Sequence, residues 1–168
     1  RIYGYNNIEI PSEIRSTLSF TKKPDKEIII NTVSNYLTDN GFVEIMSNSL
    51  TRSEYTRNNS HFINEENVKI LNPLSKDLDV MRQTLVFSGL EAIAYNQNRK
   101  STDLKLYEFG KSYHFNPAIN KDDNKLAAYS EIQHFAMFLC GKKSPESWNM
   151  KTENIDFYYL KSFVYNII

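Results

Sequence analysis

Asn72-Pro73-Leu74-Ser75-Lys76-Asp77-Leu78-Asp79-Val80-Met81-Arg82 is the stretch whose reading decides the fold. The residue before a proline is pushed out of the helical region, so Asn72-Pro73 marks a turn. Ser75 and Asp77 carry short polar side chains that hydrogen-bond nearby backbone and hold such a turn. A brief extended run, Val68 to Leu71, enters it, and an apolar helical pattern follows from Thr84. The stretch therefore reads as a joint between strand and helix, crowded enough with special residues to position something.

Working outward, the 168 residues suit one domain with a sizeable core. A hydrophobic fraction of 40% with 11 Tyr and 10 Phe places the chain among globular proteins rather than disordered ones. Lys plus Arg and Asp plus Glu are 20 each, so net charge demands neither a nucleic-acid nor a membrane surface. The single cysteine, Cys140, excludes an intrachain disulfide and fits a reducing compartment. No apolar run approaches the roughly 20 residues of a membrane helix, and no signal peptide is visible. The chain opens on Arg1 and closes on Ile168 inside a helical pattern, which reads as a piece cut from something longer.

Residues 1–24 are irregular in pattern, with Gly4, Pro11 and Pro24, and read as a connecting segment; Ile8 and Ile10 suggest a short extended piece. A helix is expected over 25–40, where Ile28, Ile29, Val33, Tyr36 and Leu37 follow 3.6-residue spacing. Pro24 suits its entry and Gly41 its exit. Residues 42–51 read as a strand. A second helix is expected over 84–98, with Gly89 a weak point. Leu104 to Phe115 alternates as a long strand broken at Gly110, and Glu131 to Cys140 as its hairpin partner across a long loop. Asp156 opens a third amphipathic helix through Phe157, Leu160, Phe163, Val164 and Ile167. Hairpin-paired strands with helices packed on them define an α+β fold with a mainly antiparallel sheet.

Little in this pattern suggests a catalytic constellation. His61, His114 and His134 are scattered, no glycine-rich phosphate loop exists, and no metal-ligand spacing occurs. Asp122-Asp123 could attract a cation, but two acidic loop residues are more simply solvated. Asp77 and Asp79 are better explained by turn formation than by acid–base chemistry. An aromatic RNA platform needs neighbouring cations, and only Tyr55 with Arg52 and Arg57 offers that combination. The run Ile28-Ile29-Ile30 is too wide for one narrow buried stripe, which favours a partner interface on that helix.

The Asn72–Arg82 stretch also resembles the β subunit of bacterial phenylalanyl-tRNA synthetase. The resemblance extends along nearly the whole chain. Arg1 to Ile8 is similar to the family's exit from its B5 module, and Gly41-Phe-Val-Glu44 to the segment after the first long helix. Leu106-Tyr-Glu-Phe-Gly110 and Asp156-Phe-Tyr-Tyr-Leu-Lys161 match later segments, and Trp148 stands where the family often has tryptophan. Ser88 replaces a usual proline before Gly89, and Ser162 a usual glycine. Asn72, Pro73, Asp77, Arg82 and Gly110 are the signature positions.

The resemblance implies a class II aminoacyl-tRNA synthetase-like antiparallel sheet flanked by helices. It assigns residues 25–168 to a catalytic-like module, truncated at its C-terminal end. Residues 25–51 would correspond to motif 1, used for subunit contact, and 104–141 to motif 2. Class II enzymes set a motif 2 arginine against the ATP α-phosphate, a task suited to its planar fork. Here His114 stands in the corresponding place, and neutral imidazole is a poor substitute. The implied role is a non-catalytic part of a cytoplasmic ligase that charges tRNA with phenylalanine. ATP and magnesium would serve the whole enzyme, with no cofactor, catalytic residue or metal in this piece. The implied partners are the α subunit in an (αβ)2 assembly and tRNA through the whole complex. Ile28, Ile29, Val33, Tyr36 and Leu37 are the candidate contacts. Two alternatives are a free-standing synthetase-like paralogue binding RNA or a small ligand, and a self-contained enzyme acting through Asp77, Asp79 or His114.

Overall fold

A computed structural model describes Thr17 and residues 25–119, 126–149 and 151–168. The connecting segment 1–24, with the Ile8–Ile10 extension, and the Asp122-Asp123 pair lie outside the described residues, apart from Thr17.

Helix α1 spans Lys26–Asp39. Asp25 caps it, its carboxylate accepting from the Glu27 amide at 3.0 Å. Gly41 ends it with φ +80°, a left-handed conformation natural to glycine, and the Phe42 amide donates back to the Leu37 carbonyl at 3.0 Å. The expected single strand over 42–51 is instead two short ones, β1 (Val43–Glu44) and β2 (Leu50–Thr51). They separate because they serve different partners: β1 pairs in parallel with the long strand β4 (Leu104–Phe115), and β2 antiparallel with β3 (Val80–Met81). A short helix, α2 (Glu54–Arg57), follows β2. The expected Val68–Leu71 strand contracts to one bridge, Lys69 to Val80.

Helix α3 spans Val86–Gln97. Gly89 within it is a packing site rather than a weak point. A Cβ there would lie 2.1 Å from the Phe138 ring. Strand β4 runs unbroken through Gly110 and pairs antiparallel with β5 (Tyr129–Cys140), from Leu104 opposite Cys140 to Phe115 opposite Tyr129. The main sheet has the order β1-β4-β5, so the antiparallel hairpin carries one parallel strand at its edge. Helix α4 (Phe157–Ile167) closes the described order, capped by Asp156, which accepts from the Tyr159 amide at 2.7 Å. The fold is α+β, as the periodicities require.

Strand periodicity gives β4 two unlike faces. Its odd positions Tyr107 and Phe109 meet α1 and α4 in a core of Leu37, Phe42, Tyr107 and Phe163. Phe163 packs edge-on against Phe42 and Tyr159 at centroid distances of 4.9 and 5.1 Å. Its even positions Glu108, Gly110, Ser112 and His114 meet the layer built from residues 47–88.

Candidate functional site

The polar face of β4 gathers the chemistry-bearing side chains, with Arg82 at their centre. Backbone bonds set Arg82 in place: its amide donates to the Ser49 carbonyl and its carbonyl accepts from Tyr113, both at 2.9 Å. The guanidinium then reaches Glu108 Oε1 at 2.8 Å through Nη1 and the Lys111 carbonyl at 3.0 Å through Nε. Both side chains of the ion pair are at least 95% buried. Ser47 donates its amide to the same Glu108 oxygen at 3.3 Å, while Oε2 is buried without a hydrogen-bond partner among the described residues. Gly110 makes this geometry possible. A Cβ there would fall 2.4 Å from Arg82 Nη2 and 3.0 Å from Glu108 Oε1.

Of the five signature positions, Arg82 and Gly110 therefore meet, whereas Asn72, Pro73 and Asp77 lie on the exposed turn. Ser75 holds that turn, its Oγ accepting from the Asp77 amide at 3.1 Å. Asp79 does more: its two oxygens accept from the Ser53 amide and hydroxyl at 2.8 and 2.7 Å, clipping the turn to the start of α2. Neither aspartate is arranged for acid–base chemistry. Arg52, Tyr55 and Arg57 do not form an open stacking platform. Arg52 lies 3.8 Å from Asp77 and from Glu91, Tyr55 donates to Glu91, and its ring stacks on Phe87 at 4.6 Å. The Glu91 hydrogen bond holds the Tyr55 hydroxyl above its ordinary pKa, reinforced by partial burial.

His114 is drawn inward. Its Nε2 lies 3.1 Å from Ser112 Oγ, and its Nδ1 lies 3.6 Å from a Glu66 oxygen. His134 approaches the same Ser112 hydroxyl at 2.7 Å. A further buried network ties Gln83 to Asn67 at 2.9 Å and Asn67 to Thr56 at 2.7 Å. The sequence reading missed Glu108, Ser112, Asn67 and Gln83. For Glu108 a signal exists: on the face that begins Leu104, Leu106, a carboxylate must find a partner.

On α1, Leu37 is fully buried in the chain's own core, and Val33 and Tyr36 pack against it. These three serve internal packing, because the stripe that faces the sheet is the one their spacing defines. Ile28 and Ile29 remain 64% and 50% exposed. The departures at Ser88 and Ser162 are absorbed locally, each hydroxyl donating to a carbonyl three residues back. Trp148 is exposed. Among the described residues no group of three or more His, Cys, Asp or Glu could hold a metal ion, and no helix is long and apolar enough to cross a membrane.

Residues 10–168 match the family model described as the phenylalanyl-tRNA synthetase beta chain CLM domain. The chain belongs to that family. A phenylalanine–tRNA ligase beta subunit from Bacteroides thetaiotaomicron is 46% identical over 169 residues, covering 100% of this chain and 21% of the relative. The Porphyromonas gingivalis beta subunit is 38% identical with the same coverage. A solved ATP phosphoribosyltransferase regulatory subunit/histidyl-tRNA synthetase from Bacillus halodurans C is a distant likeness. It has 18% identity and TM-score 0.47, covering 79% of this chain and 32% of that one. The chain spans about a fifth of the length of the family's beta subunits that it matches.

Proposed function

We propose that this chain is a non-catalytic module of the phenylalanine–tRNA ligase β subunit, serving assembly with the α subunit in an (αβ)2 complex of the cytoplasm. The observation that carries the reading is the state of the arginine on the polar sheet face. A class II site needs a cationic fork free to meet a phosphate. Arg82 is neutralised by Glu108 and enclosed by Lys111, Ser88 and Gly110. His114, at the motif 2 place, is engaged with Ser112. The residues present do not fit ATP phosphates or their magnesium, so no chemical step is assigned to them. ATP, magnesium and tRNA belong to the whole enzyme.

Apolar surface supports the assembly role. Ile28 and Ile29 are exposed on α1, and an apolar groove of about 340 Å³ runs between β5 and α4, lined by Phe135, Met137, Leu160, Val164, Ile167 and Ile168. Exposed apolar surface of this kind marks contact sites. Two measurements test the reading. The chain should show no phenylalanine-dependent ATP–pyrophosphate exchange, and robust exchange overturns the non-catalytic role. The whole β subunit carrying Ile28→Asp and Ile29→Asp should lose co-purification with its α subunit. Undiminished co-purification removes α1 from the interface.

A further inference from the structure

The groups on the polar face that the proposed role leaves unused are Glu66, His114, Ser112 and His134. They form an unbroken series. Glu66 lies 3.6 Å from His114 Nδ1, His114 Nε2 lies 3.1 Å from Ser112 Oγ, and Ser112 Oγ lies 2.7 Å from His134 Nε2. Ser112 is wholly buried, whereas His134 lies at the exposed end of the series. The series joins three elements distant in sequence: the 3₁₀ turn Asn64–Glu66, β4 and β5.

The chemistry of the groups fixes the direction of each bond. A neutral imidazole carries one N–H and one lone pair, and a hydroxyl donates only one hydrogen. The Glu66 carboxylate favours a hydrogen on His114 Nδ1. His114 Nε2 is then an acceptor, so Ser112 donates to it. Ser112 Oγ can accept only from a donor, so His134 must carry its hydrogen on Nε2. Each histidine is thereby held in a different tautomer, and His134 Nδ1 is left as the bare nitrogen.

We infer that Glu66, His114, Ser112 and His134 form a directional hydrogen-bond relay that accepts one proton without rearrangement and opens on the second. A proton added to His134 Nδ1 leaves its Nε2–H bond to Ser112 intact. A proton added to His114 turns Nε2 from acceptor into donor. The Ser112 hydroxyl then loses its only acceptor in the relay while buried, a state that costs free energy. The charged groups around the relay are Glu66 from the 3₁₀ turn, Glu108 from β4 and Arg82 from the segment after β3. Arg82 and Glu108 neutralise each other, leaving Glu66 as the counter-charge that draws the second proton to His114. Acidification should therefore loosen the turn Asn64–Glu66 from the far end of the hairpin, and leave the α1–α4 core alone.

The test reads imidazole nitrogens directly. Two-bond ¹⁵N–¹H spectra of the 168-residue chain at neutral pH should show His114 as the Nδ1–H tautomer and His134 as the Nε2–H tautomer. Glu66→Ala changes a half-exposed residue and should convert His114 to a mixture. Ser112→Ala should abolish both preferences. The same tautomer in both wild-type histidines, or an unchanged His114 in Glu66→Ala, overturns the relay. Hydrogen exchange then tests the opening. Corrected for intrinsic rates, amides of residues 64–67 should exchange about fivefold faster once both histidines are protonated, as loss of one hydrogen bond implies. An equal change in α1 amides would mean general loosening and refute a local switch.

Discussion

The two faces of β4 are built from the same twelve residues by opposite means. On one, Tyr107 and Phe109 join Leu37, Phe42 and Phe163 in aromatic and aliphatic contact, where no single atom pair is essential. On the other, Glu108, Gly110 and Ser112 serve a buried ion pair and a histidine relay, where each polar atom depends on a particular partner. The first face should fail in proportion to the volume removed. The second should fail according to which partner is left alone.

The largest expected effect comes from breaking the ion pair on one side only. Glu108→Leu leaves the Arg82 guanidinium buried without its counter-charge, and a loss of about 3–5 kcal/mol is expected in urea unfolding. Replacing both partners, Arg82→Met with Glu108→Leu, should recover most of that loss, because two desolvated charges are exchanged for apolar contact. Glu108 Oε2 already lacks a partner, so the wild-type pair is an imperfect optimum. If the double variant is no more stable than Glu108→Leu, the polar face is not governed by pairing, and the contrast between the faces collapses.

On the apolar face the corresponding change is Leu37→Ala. Leu37 is fully buried, and its truncation should cost about 2–5 kcal/mol through lost burial and the cavity left behind. No second substitution in the ion pair should rescue it, since distant sites add independently. A measured cost under about 1 kcal/mol would mean that this face relaxes around the gap, contrary to close packing.

How far the sequence disclosed these two faces differs for a physical reason. Periodicity records which side of a helix or strand is apolar, so α1, α3, the β4–β5 hairpin and α4 were all legible. So was Gly41, because a helix exit needs a residue at ease with positive φ. Periodicity does not record partners. Arg82 stood in the signature stretch, but nothing near it in sequence names Glu108, 26 positions later. The split of 42–51 into two strands was hidden likewise, because β1 and β2 answer to different partners in space. Gly110 read as a strand breaker. Its role is subtractive, making room for a side chain 28 positions earlier.

That role supplies an intermediate test. Gly110→Ala places a methyl group against Arg82, Leu85 and Glu108, and overpacking of this kind costs about 1–3 kcal/mol. Combining it with Glu108→Ala should cost less than the sum of the two single changes, because one of the crowding atoms is gone. Strict additivity would show that the Gly110 backbone, not the space beside it, sets the effect.

The smallest effect lies on the apolar side, where an exposed charge pins α4. Backbone hydrogen bonding from Tyr159 holds the Asp156 carboxyl below its ordinary value of 3.8, helped by Lys143 at 3.3 Å. A lowered folded value means that the contribution is fully present above the unfolded value, and is lost as pH falls from there through the folded value. Acid should therefore weaken α4 capping below about pH 4, while neutral and mildly acidic pH leave it unchanged. Asp156→Asn keeps an oxygen for the Tyr159 amide but removes the titrating charge, so this part of the acid dependence should disappear with only a slight loss at pH 7. The histidine relay predicts pH sensitivity in a higher range and on the other face. Hydrogen exchange in α4 and in residues 64–67, followed down one pH series, should resolve two separate transitions. A single shared transition would mean that the two faces of β4 are not energetically independent.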